Sequence, residues 1–378
     1  MNFSQLTTFS AGLILFCIFC ISLIIQLWFY LNLFSRLAFH KNTATLNNNK
    51  PPVSIIICAK NELNNLSQNL SSIFEQDYPE YQVIVVNDCS SDDTGDYLKG
   101  LLEVHPTLKV ITIIEDEHYT HGKKIALMMG IKGAAHEYLL LTDADCKPKD
   151  KYWLRNMISE FNPETEIVLG YGAYEKQPTF LNKIIRFDTF IIGLQYLSFA
   201  LADKAYMGAG RNLAYKKSLF FKMKGFASHY HIESGDDDLF VNEAVNKQHA
   251  KIKVNLNDHT VSKVKTTLNE WMTQKCRHLT TYNYYDSKSK FRLIMMSASQ
   301  HVFFITCLIL LICKVALVLI IFLFTLRSLI QMIIFKKSML RLGEKDLFVY
   351  APLLELVLLF MYPLIIVSNK FLKKNKWK

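Results

Sequence analysis

The middle of the chain alternates between short apolar runs and segments with helical periodicity. Four runs rich in Val, Ile and Leu have the length of strands: 53–58, 83–86, 108–114 and 138–142. Three segments between them carry apolar residues at helical spacing: 62–75, 92–103 and 123–135. Because the strands are apolar without alternation, both of their faces are expected to be buried. The pattern therefore predicts an α/β fold, with a mainly parallel sheet that has helices on both faces.

The amino-terminal end is apolar over a length that suits membrane crossing. Residues 9–34 contain no charged side chain, and this stretch exceeds the ~20 residues that a helix needs to cross a bilayer. A cleaved signal peptide would be shorter and would begin with positive charge, so we expect a retained anchor at 1–35. The positive residues Arg36, Lys41 and Lys50 follow it, which predicts an outer amino terminus and a cytoplasmic continuation.

The carboxy-terminal end is predicted to cross the membrane two or three times. Residues 293–335 form either one span, at 301–326, with an interfacial segment, or a hairpin of two spans that turns near Lys314. A further span covers 347–367 and contains Glu355, which is either functional or paired with Lys314. Two spans place the basic tail in the cytoplasm and three place it outside, and charge does not decide between them.

Composition and charge narrow the functional class. Hydrophobic residues make up 51% of the 378 residues, which excludes a disordered chain, a collagen and a coiled coil. Lys and Arg outnumber Asp and Glu by 43 to 33, which suits an anionic lipid bilayer or a phosphate-bearing substrate. No basic stripe alternates with aromatic residues, so nucleic acid is not an expected partner. The eight cysteines have neither metal-ligand nor disulfide spacing and are expected to be unpaired.

Polar and acidic residues collect where the predicted strands end. They are Lys60 and Glu62, which follow Ala59 at the end of the first run, Asp88 after the second, and Asp143 and Asp145 after the fourth. In parallel sheets, ligands bind beyond the carboxyl ends of the strands. Asp143 and Asp145 lie two positions apart, so both can reach one ion while Ala144 points away. Carboxylate oxygens suit Mg²⁺ or Mn²⁺, and the pattern predicts a divalent metal site here.

These segments, taken in order, resemble the family-2 glycosyltransferases of GT-A fold. The resemblance covers roughly 50–285 and rests on 53–62, Asn87-Asp88, Gly122-Lys123 and 142–145. It implies a nucleotide-diphosphate sugar as donor, with Asp88 on the base, Asp143 on the ribose or the ion, and Asp145 on the ion. The resemblance also implies that Ala59 and Glu62 line the donor pocket and that Lys123 lies near the donor. Lys60, beside them, is also expected to contact the donor.

Two later segments extend the resemblance toward the acceptor. Residues 208–215 resemble the family's acceptor-side loop, which implies that Gly208, Gly210 and Asn212 face the acceptor; a plain turn is the alternative. Residues 234–239 resemble the Glu-Asp-x-Asp-Leu segment that carries the catalytic base. Alignment on Asp238 makes Asp236 the base, and a shift of one residue selects Asp237. Three adjacent carboxylates are expected to raise the pKa of at least one, and Asp238 is expected to cap the next helix.

A third segment resembles the Gln-x-x-Arg-Trp motif of membrane-bound, often processive synthases. Gln274 and Arg277 are three residues apart and would share one helix face. The resemblance implies that Arg277 stabilises the leaving diphosphate through bidentate contacts. His278 stands where this motif has Trp, which argues against the synthesis of long polymers.

The sequence thus predicts a membrane-anchored enzyme similar to cellulose- and hyaluronan-synthase-like and bacterial cell-surface glycan enzymes. Its expected parts are the anchor at 1–35, a cytoplasmic GT-A domain at 36–292 and a membrane region at 293–378. The expected reaction is an inverting sugar transfer to a lipid-linked or glycan acceptor at the cytoplasmic membrane. A processive polysaccharide synthase is one alternative, and a membrane scaffold or transport component without catalysis is another.

Overall fold

The computed structural model describes residues 3–41, 50–114, 122–245 and 249–369. The helices are α1 (Phe3–Trp28), α2 (Ser35–Ala38), α3 (Leu63–Phe74), α4 (Thr94–Leu102), α5 (Lys123–Gly133), α6 (Trp153–Ile158), α7 (Phe180–Ala200), α8 (Lys217–Lys222), α9 (Asp238–Ala244), α10 (Leu268–Leu279), α11 (Ser287–Ile312), α12 (Leu317–Leu342) and α13 (Ala351–Asn369). The strands are β1 (Val53–Ala59), β2 (Tyr81–Asp88), β3 (Leu108–Ile113), β4 (Tyr138–Asp143), β5 (Cys146–Pro148), β6 (Thr165–Leu169), β7 (Gly172–Tyr174), β8 (Leu213–Lys216), β9 (His249–Ile252) and β10 (Thr260–Ser262).

Seven strands form one sheet in the order β3-β2-β1-β4-β8-β6-β9. The first four pair in parallel, and β9 is parallel to β6. Strand β8 runs antiparallel between β4 and β6, so the sheet is mixed at that point. A second sheet, β5-β10-β7, lies beyond the end of β4. The predicted α/β class with a mainly parallel sheet is confirmed, and the elements predicted from 53 to 143 begin and end within about two residues of the observed ones.

Each face of the large sheet has its own apolar core, because alternate residues of the buried strands point to opposite sides. On one face, Ile55 and Val85 pack with helices α3, α4 and α6. On the other, Ile56 and Ile84 pack with α5, α7 and the helices that follow the domain. Helix α7 is buried along most of its length because it lies between the sheet and helix α12. The Phe190 ring, for example, meets that of Phe335 edge-on at 5.4 Å.

Within the described residues, four helical segments are long and apolar enough to cross a membrane: Ala11–Ala38, Ser287–Ile312, Leu317–Leu342 and Lys345–Ser368. The first continues past the predicted limit of the anchor at 35, because a π-helical segment joins α1 to α2. The second begins before the predicted boundary at 293. Helices α11 and α12 form the hairpin alternative, with Lys314 and Ala316 at positive φ in the turn, so the single-span interpretation is wrong. The basic tail, 370–378, lies outside the described residues.

The predicted pairing of Glu355 with Lys314 is wrong. Lys314 is exposed in the hairpin turn, whereas Glu355 is buried beside Arg327, with Nη2 to Oε1 at 2.7 Å. The same guanidinium donates to Gln26 of α1 and Gln331 of α12. Gln300 of α11 donates to Glu355, so polar groups from three helices satisfy the pair, as a buried ion pair requires. All eight cysteines are free, as expected.

Candidate active site

The ends of β1, β2 and β4 meet at one edge of the sheet, as the strand pattern predicts. Cys58 is in register with Asp143, and Ala59 is in register with Asn87. Parallel pairing therefore places Ala59, Asp88 and Asp143 side by side at the carboxyl ends of their strands. Ala59 and Asp88 are both fully buried. These three residues lie along one edge of the sheet, and this edge with the acidic side chains around it is termed the acidic cleft.

The loops after β1 and β2 are tied together by side-chain hydrogen bonds. Asn61 has a φ of 55° and accepts a hydrogen bond from the Ser91 amide at 2.8 Å. The Glu62 amide donates to Thr94 Oγ1 at 3.1 Å. Burial raises the pKa of the Glu62 carboxyl, and the carboxylates of Asp145 and Asp143 add to this against an opposing hydrogen bond from Asn65. Lys60 and Glu62 are partly exposed, so both can reach a molecule in the cleft.

Lys123 joins two of the predicted site residues. It is the first residue of α5, directly after Gly122, and its Nζ is 2.9 Å from Asp143 Oδ1 and 2.9 Å from Asp236 Oδ2. Burial disfavours the ammonium charge, but Asp143, Asp236 and Asp237 outweigh this and raise the pKa of Lys123 well above its ordinary value. One fixed positive charge thus lies between the end of β4 and the acidic segment before α9.

The three consecutive aspartates have separate surroundings. Asp236 faces Lys123, whereas Asp237 accepts from the Gly210 amide at 2.7 Å and from the Asp238 amide at 2.7 Å. Asp237 is therefore the residue that caps α9, and the expectation that Asp238 caps it is wrong. Asp238 accepts hydrogen bonds from Tyr285 and Thr281, which tie α9 to the segment after α10.

The pKa values of these aspartates differ in direction. Burial raises the pKa of Asp236, but the ion pair and hydrogen bond with Lys123 outweigh it and hold the pKa below its ordinary value. Burial, together with Asp236 and Asp238, raises the pKa of Asp237 to about 7. Burial also raises the pKa of Asp238. The expected increase in pKa thus occurs at Asp237 and Asp238. It does not occur at Asp236, because the Lys123 ammonium lies beside that carboxylate.

Asp143, Asp145 and Cys146 bring three potential metal-ligand atoms within 4.8 Å of one another. Burial and the neighbouring Asp143 raise the pKa of Asp145, while the Arg211 charge opposes the increase. Burial and the two aspartates raise the pKa of the Cys146 thiol well above its ordinary value, so it stays protonated. The group therefore offers two carboxylates and a neutral thiol. Hard carboxylate oxygens fit Mg²⁺ or Mn²⁺, whereas a site for softer metals would need a thiolate.

Arg211 is a site residue that the sequence analysis did not single out. Its guanidinium stacks on the Tyr174 ring, 4.4 Å from the centroid, and donates to Ser262 Oγ at 3.0 Å. Its charge acts on both Asp143 and Asp145. Arg211 lies between Gly210 and Asn212, inside the predicted acceptor-side loop. This position in the sequence could have indicated that it belongs to the site. The loop thus contributes a second fixed cation to the acidic cleft.

Two predicted acceptor-side residues serve packing. Asn212 is fully buried, where its amide accepts from Trp153 Nε1 at 3.0 Å and donates to two backbone carbonyls. Asn212 thus packs behind the surface of the site in this structure, and its contact with an acceptor stays a prediction. A Cβ on Gly208 would meet Leu169 and Val241 at 3.1 Å, so this glycine is required by the core. Gly210 instead positions Asp237 through its amide.

Gln274 and Arg277 lie on α10, as predicted, and both are partly exposed. Thr267 and Glu270 form a capping box at the start of this helix. Gln274 Nε2 is 3.5 Å from the hydroxyl of Tyr174, the ring on which Arg211 stacks. This contact brings the motif to the edge of the acidic cleft.

Residues 54–223 match Glycosyl transferase family 2. This part of the chain is similar to the family-2 glycosyltransferases. The match begins in β1 and ends beyond β8, so it includes Asp88, Lys123, Asp143 and Asp145. The resemblance inferred from the sequence is confirmed at the level of the family.

Curated relatives match over the same part of the chain. A poly-beta-1,6-N-acetyl-D-glucosamine synthase of Staphylococcus epidermidis is 31% identical over 169 residues, which cover 44% of this chain and 40% of that protein. The glycosyltransferase AglE of Haloferax volcanii is 29% identical over 142 residues, covering 37% of this chain and 45% of the relative. The matched part thus spans less than half the length of these relatives.

A solved structure extends the likeness to most of the chain. The mannosyltransferase PcManGT of Pyrobaculum calidifontis, determined with GDP-Man and Mn²⁺, has a TM-score of 0.58 at 18% identity. The superposition covers 90% of this chain and 97% of that one. At this identity the likeness concerns the fold, and it confirms the predicted GT-A fold.

Proposed function

We propose that this protein is an inverting, metal-dependent glycosyltransferase that moves a sugar from a nucleotide-diphosphate donor to a membrane-associated or glycan acceptor. The observation that carries the proposal is the position of Lys123, 2.9 Å from both Asp143 and Asp236. This contact puts a candidate donor residue and a candidate base in one cleft of a family-2 domain. A scaffold without catalysis would not need this arrangement of buried charges, which are costly to keep.

The donor is proposed to lie along the strand ends. Asp88 is assigned to the nucleotide base, and Ala59, Lys60 and Glu62 to the walls of the pocket. Asp143 and Asp145 are assigned to a divalent ion, which when bound would offset negative charge on the donor diphosphate. The Mn²⁺ in the Pyrobaculum mannosyltransferase favours this assignment. Lys123 and Arg211 supply positive charge for the same diphosphate, and Arg277 on α10 is assigned to it as well.

Asp236 is proposed as the general base. Its low pKa keeps it ionised beside Lys123, whereas both oxygens of Asp237 accept hydrogen bonds from backbone amides. Asp236 takes the proton of an acceptor hydroxyl while that oxygen forms a bond to the anomeric carbon. The bond from this carbon to the diphosphate oxygen breaks, and the nucleoside diphosphate leaves with the electron pair. Attack from the opposite face inverts the anomeric centre.

The test measures nucleoside diphosphate release by the purified full chain with UDP-, GDP- and other activated sugars in Mn²⁺ or Mg²⁺. Asp236→Asn is expected to keep donor binding and to lose transfer by roughly 10²–10⁴-fold. Asp96→Asn is the matched control, because Asp96 is exposed and pairs only with Lys99 in the described contacts. Transfer that survives in Asp236→Asn but not in Asp237→Asn would assign the base to Asp237. No release with any donor would favour the scaffold alternative.

A processive polysaccharide synthase is the second candidate. The 31% identity with a poly-beta-1,6-N-acetyl-D-glucosamine synthase favours it, as does the placement of Gln274 and Arg277. His278 in place of the motif's Trp argues for short products. Mass analysis of products made by the purified chain separates the two, since a synthase gives a long ladder and a single-addition enzyme gives one new species.

A further inference from the structure

A cavity of about 430 Å³ lies where the membrane helices meet the catalytic domain. Its walls are residues 38–40 at the end of α2, residues 254–256 after β9, and Lys337, Leu340 and Arg341 of α12. None of these residues belongs to the candidate active site. Strand β9 is also three strands away from β4 in the sheet, so the cavity is separate from the acidic cleft.

The polar lining is basic. Lys337 is exposed and Arg341 lies one helical turn further along the same face of α12. The Arg341 guanidinium donates to the His40 carbonyl, which fixes α12 against the end of α2. None of the lining residues is acidic. Glu160, whose charge reaches His40, is paired with Lys253 at 2.7 Å. The cavity therefore attracts an anion.

The remaining walls are apolar and open to the surroundings. Phe39, Leu256 and Leu340 leave 56%, 42% and 49% of their surfaces exposed. Large exposed apolar side chains around a polar pocket mark a site for a ligand or a membrane. A free inorganic anion would gain no favourable contact with these apolar side chains. An amphiphile, with a charged head and an apolar body, would contact both kinds of wall.

The position of the cavity at the ends of two candidate spans indicates which kind of amphiphile it binds. Two candidate spans, Ala11–Ala38 and Leu317–Leu342, both end at this cavity. The ends of spans lie at the level of lipid headgroups, and basic pockets between such helices bind acidic headgroups. We propose that this cavity binds the phosphate-bearing headgroup of an anionic membrane lipid. The proposal depends on the membrane placement of the helices and not on catalysis.

The experiment measures thermal unfolding of the purified full chain in zwitterionic micelles, with added phosphatidylglycerol, phosphatidylcholine or inorganic phosphate. Phosphatidylglycerol is expected to raise the unfolding temperature, because a ligand that binds only the folded state stabilises it. Lys337→Glu is expected to lose more than half of this increase, and Lys337→Arg to retain it. The matched control is Lys336→Glu, which makes the same charge change on the neighbouring residue, where the ammonium lies over Phe348.

Two results would overturn the proposal. One is an equal loss of the lipid-dependent increase in Lys336→Glu and Lys337→Glu, since this would indicate general surface charge. The other is an increase with inorganic phosphate alone that matches the one with phosphatidylglycerol, since this would assign the cavity to a free anion. Unfolding without lipid and nucleoside diphosphate release show whether each variant is folded, so failure of this proposal is distinguishable from failure of the proposed activity.

Discussion

Lys123 forms an ion pair with Asp236, the proposed base, at 2.9 Å between Nζ and Oδ2. The contact holds the carboxylate in its ionised form and also keeps the ammonium at the edge of the donor site. A donor diphosphate would compete for the same ammonium. In the proposed mechanism, arrival of the donor would therefore change the basicity of Asp236, because an ammonium shared with phosphate would hold the carboxylate less strongly.

Replacement of Lys123 by Met is expected to lower kcat/KM for nucleoside diphosphate release by roughly 10–100-fold, since hydrogen bonds to charged groups contribute roughly 1.5–3 kcal/mol. The pKa of Asp236 should rise once its cation is removed, so the acid limb of the pH profile should move to higher pH. Lys99→Met, which removes an exposed lysine, serves as control. An unshifted acid limb would argue against Asp236 as the titrating base.

The raised pKa of Asp237, about 7, predicts a pH-dependent stability. A carboxyl whose folded-state pKa exceeds its unfolded value contributes stability that is complete below the unfolded pKa and is lost as the pH rises through the folded one. The melting temperature without metal should therefore fall between about pH 4 and pH 7, the interval between the unfolded and folded pKa values, and Asp237→Asn should reduce this slope. An Asn at this position still caps α9. Identical slopes in both proteins would contradict the assignment.

Removal of the Asp145 carboxylate is expected to abolish metal-dependent nucleotide binding. Calorimetric titration of a nucleoside diphosphate with and without Mn²⁺ measures this for Asp145→Ala. Cys146→Ser is the matched neighbour, and it should retain the affinity because the Cys146 thiol is protonated and is not needed as a thiolate. If Asp145→Ala binds the nucleoside diphosphate in Mn²⁺ as tightly as the unmodified chain does, the assignment of Asp145 to the metal ion is wrong.

Helix α10 is held from the membrane side through Asp188 of α7. This buried carboxylate accepts a hydrogen bond from Tyr362 of α13 and forms an ion pair with Lys275, the residue after Gln274. Tyr362→Phe is expected to lower the unfolding temperature and to reduce nucleoside diphosphate release, because α10 carries Gln274 and Arg277. Tyr350→Phe, on a tyrosine under the Lys183 ammonium, is the control. Normal release in Tyr362→Phe would show that α13 does not position α10.

The alternation of strands and helices from 53 to 143 was predictable because the strands are rich in apolar residues and polar residues follow where each strand ends. Topology alone then brought Asp88 and Asp143 to one edge. The pairing of Lys123 with Asp236 was not predictable, since it depends on how α5 and the segment before α9 approach each other. The same lack of distance information left open which of the three adjacent aspartates has the raised pKa.

Two further differences have the same physical origin. The resemblance of 208–215 to an acceptor-side loop placed Asn212 at the acceptor, whereas in the structure its amide is satisfied by Trp153 and two remote carbonyls. Glu355 was paired with Lys314 because hydropathy locates spans along the chain but does not give their rotation or their neighbours. Arg327 faces Glu355 only once α12 and α13 are packed.

The buried Arg327–Glu355 pair also bears on how the protein is made and on how it can be shortened. A guanidinium placed alone in hydrocarbon is costly, whereas the two helices together bring no net charge from this pair. Helix α12 is synthesised before α13. Arg327 therefore needs an aqueous or protein environment until α13 has been made. A chain cut before Ala351 would therefore keep every residue of the catalytic cleft and still leave a lone cation among the side chains of Tyr30, Phe303 and Phe304.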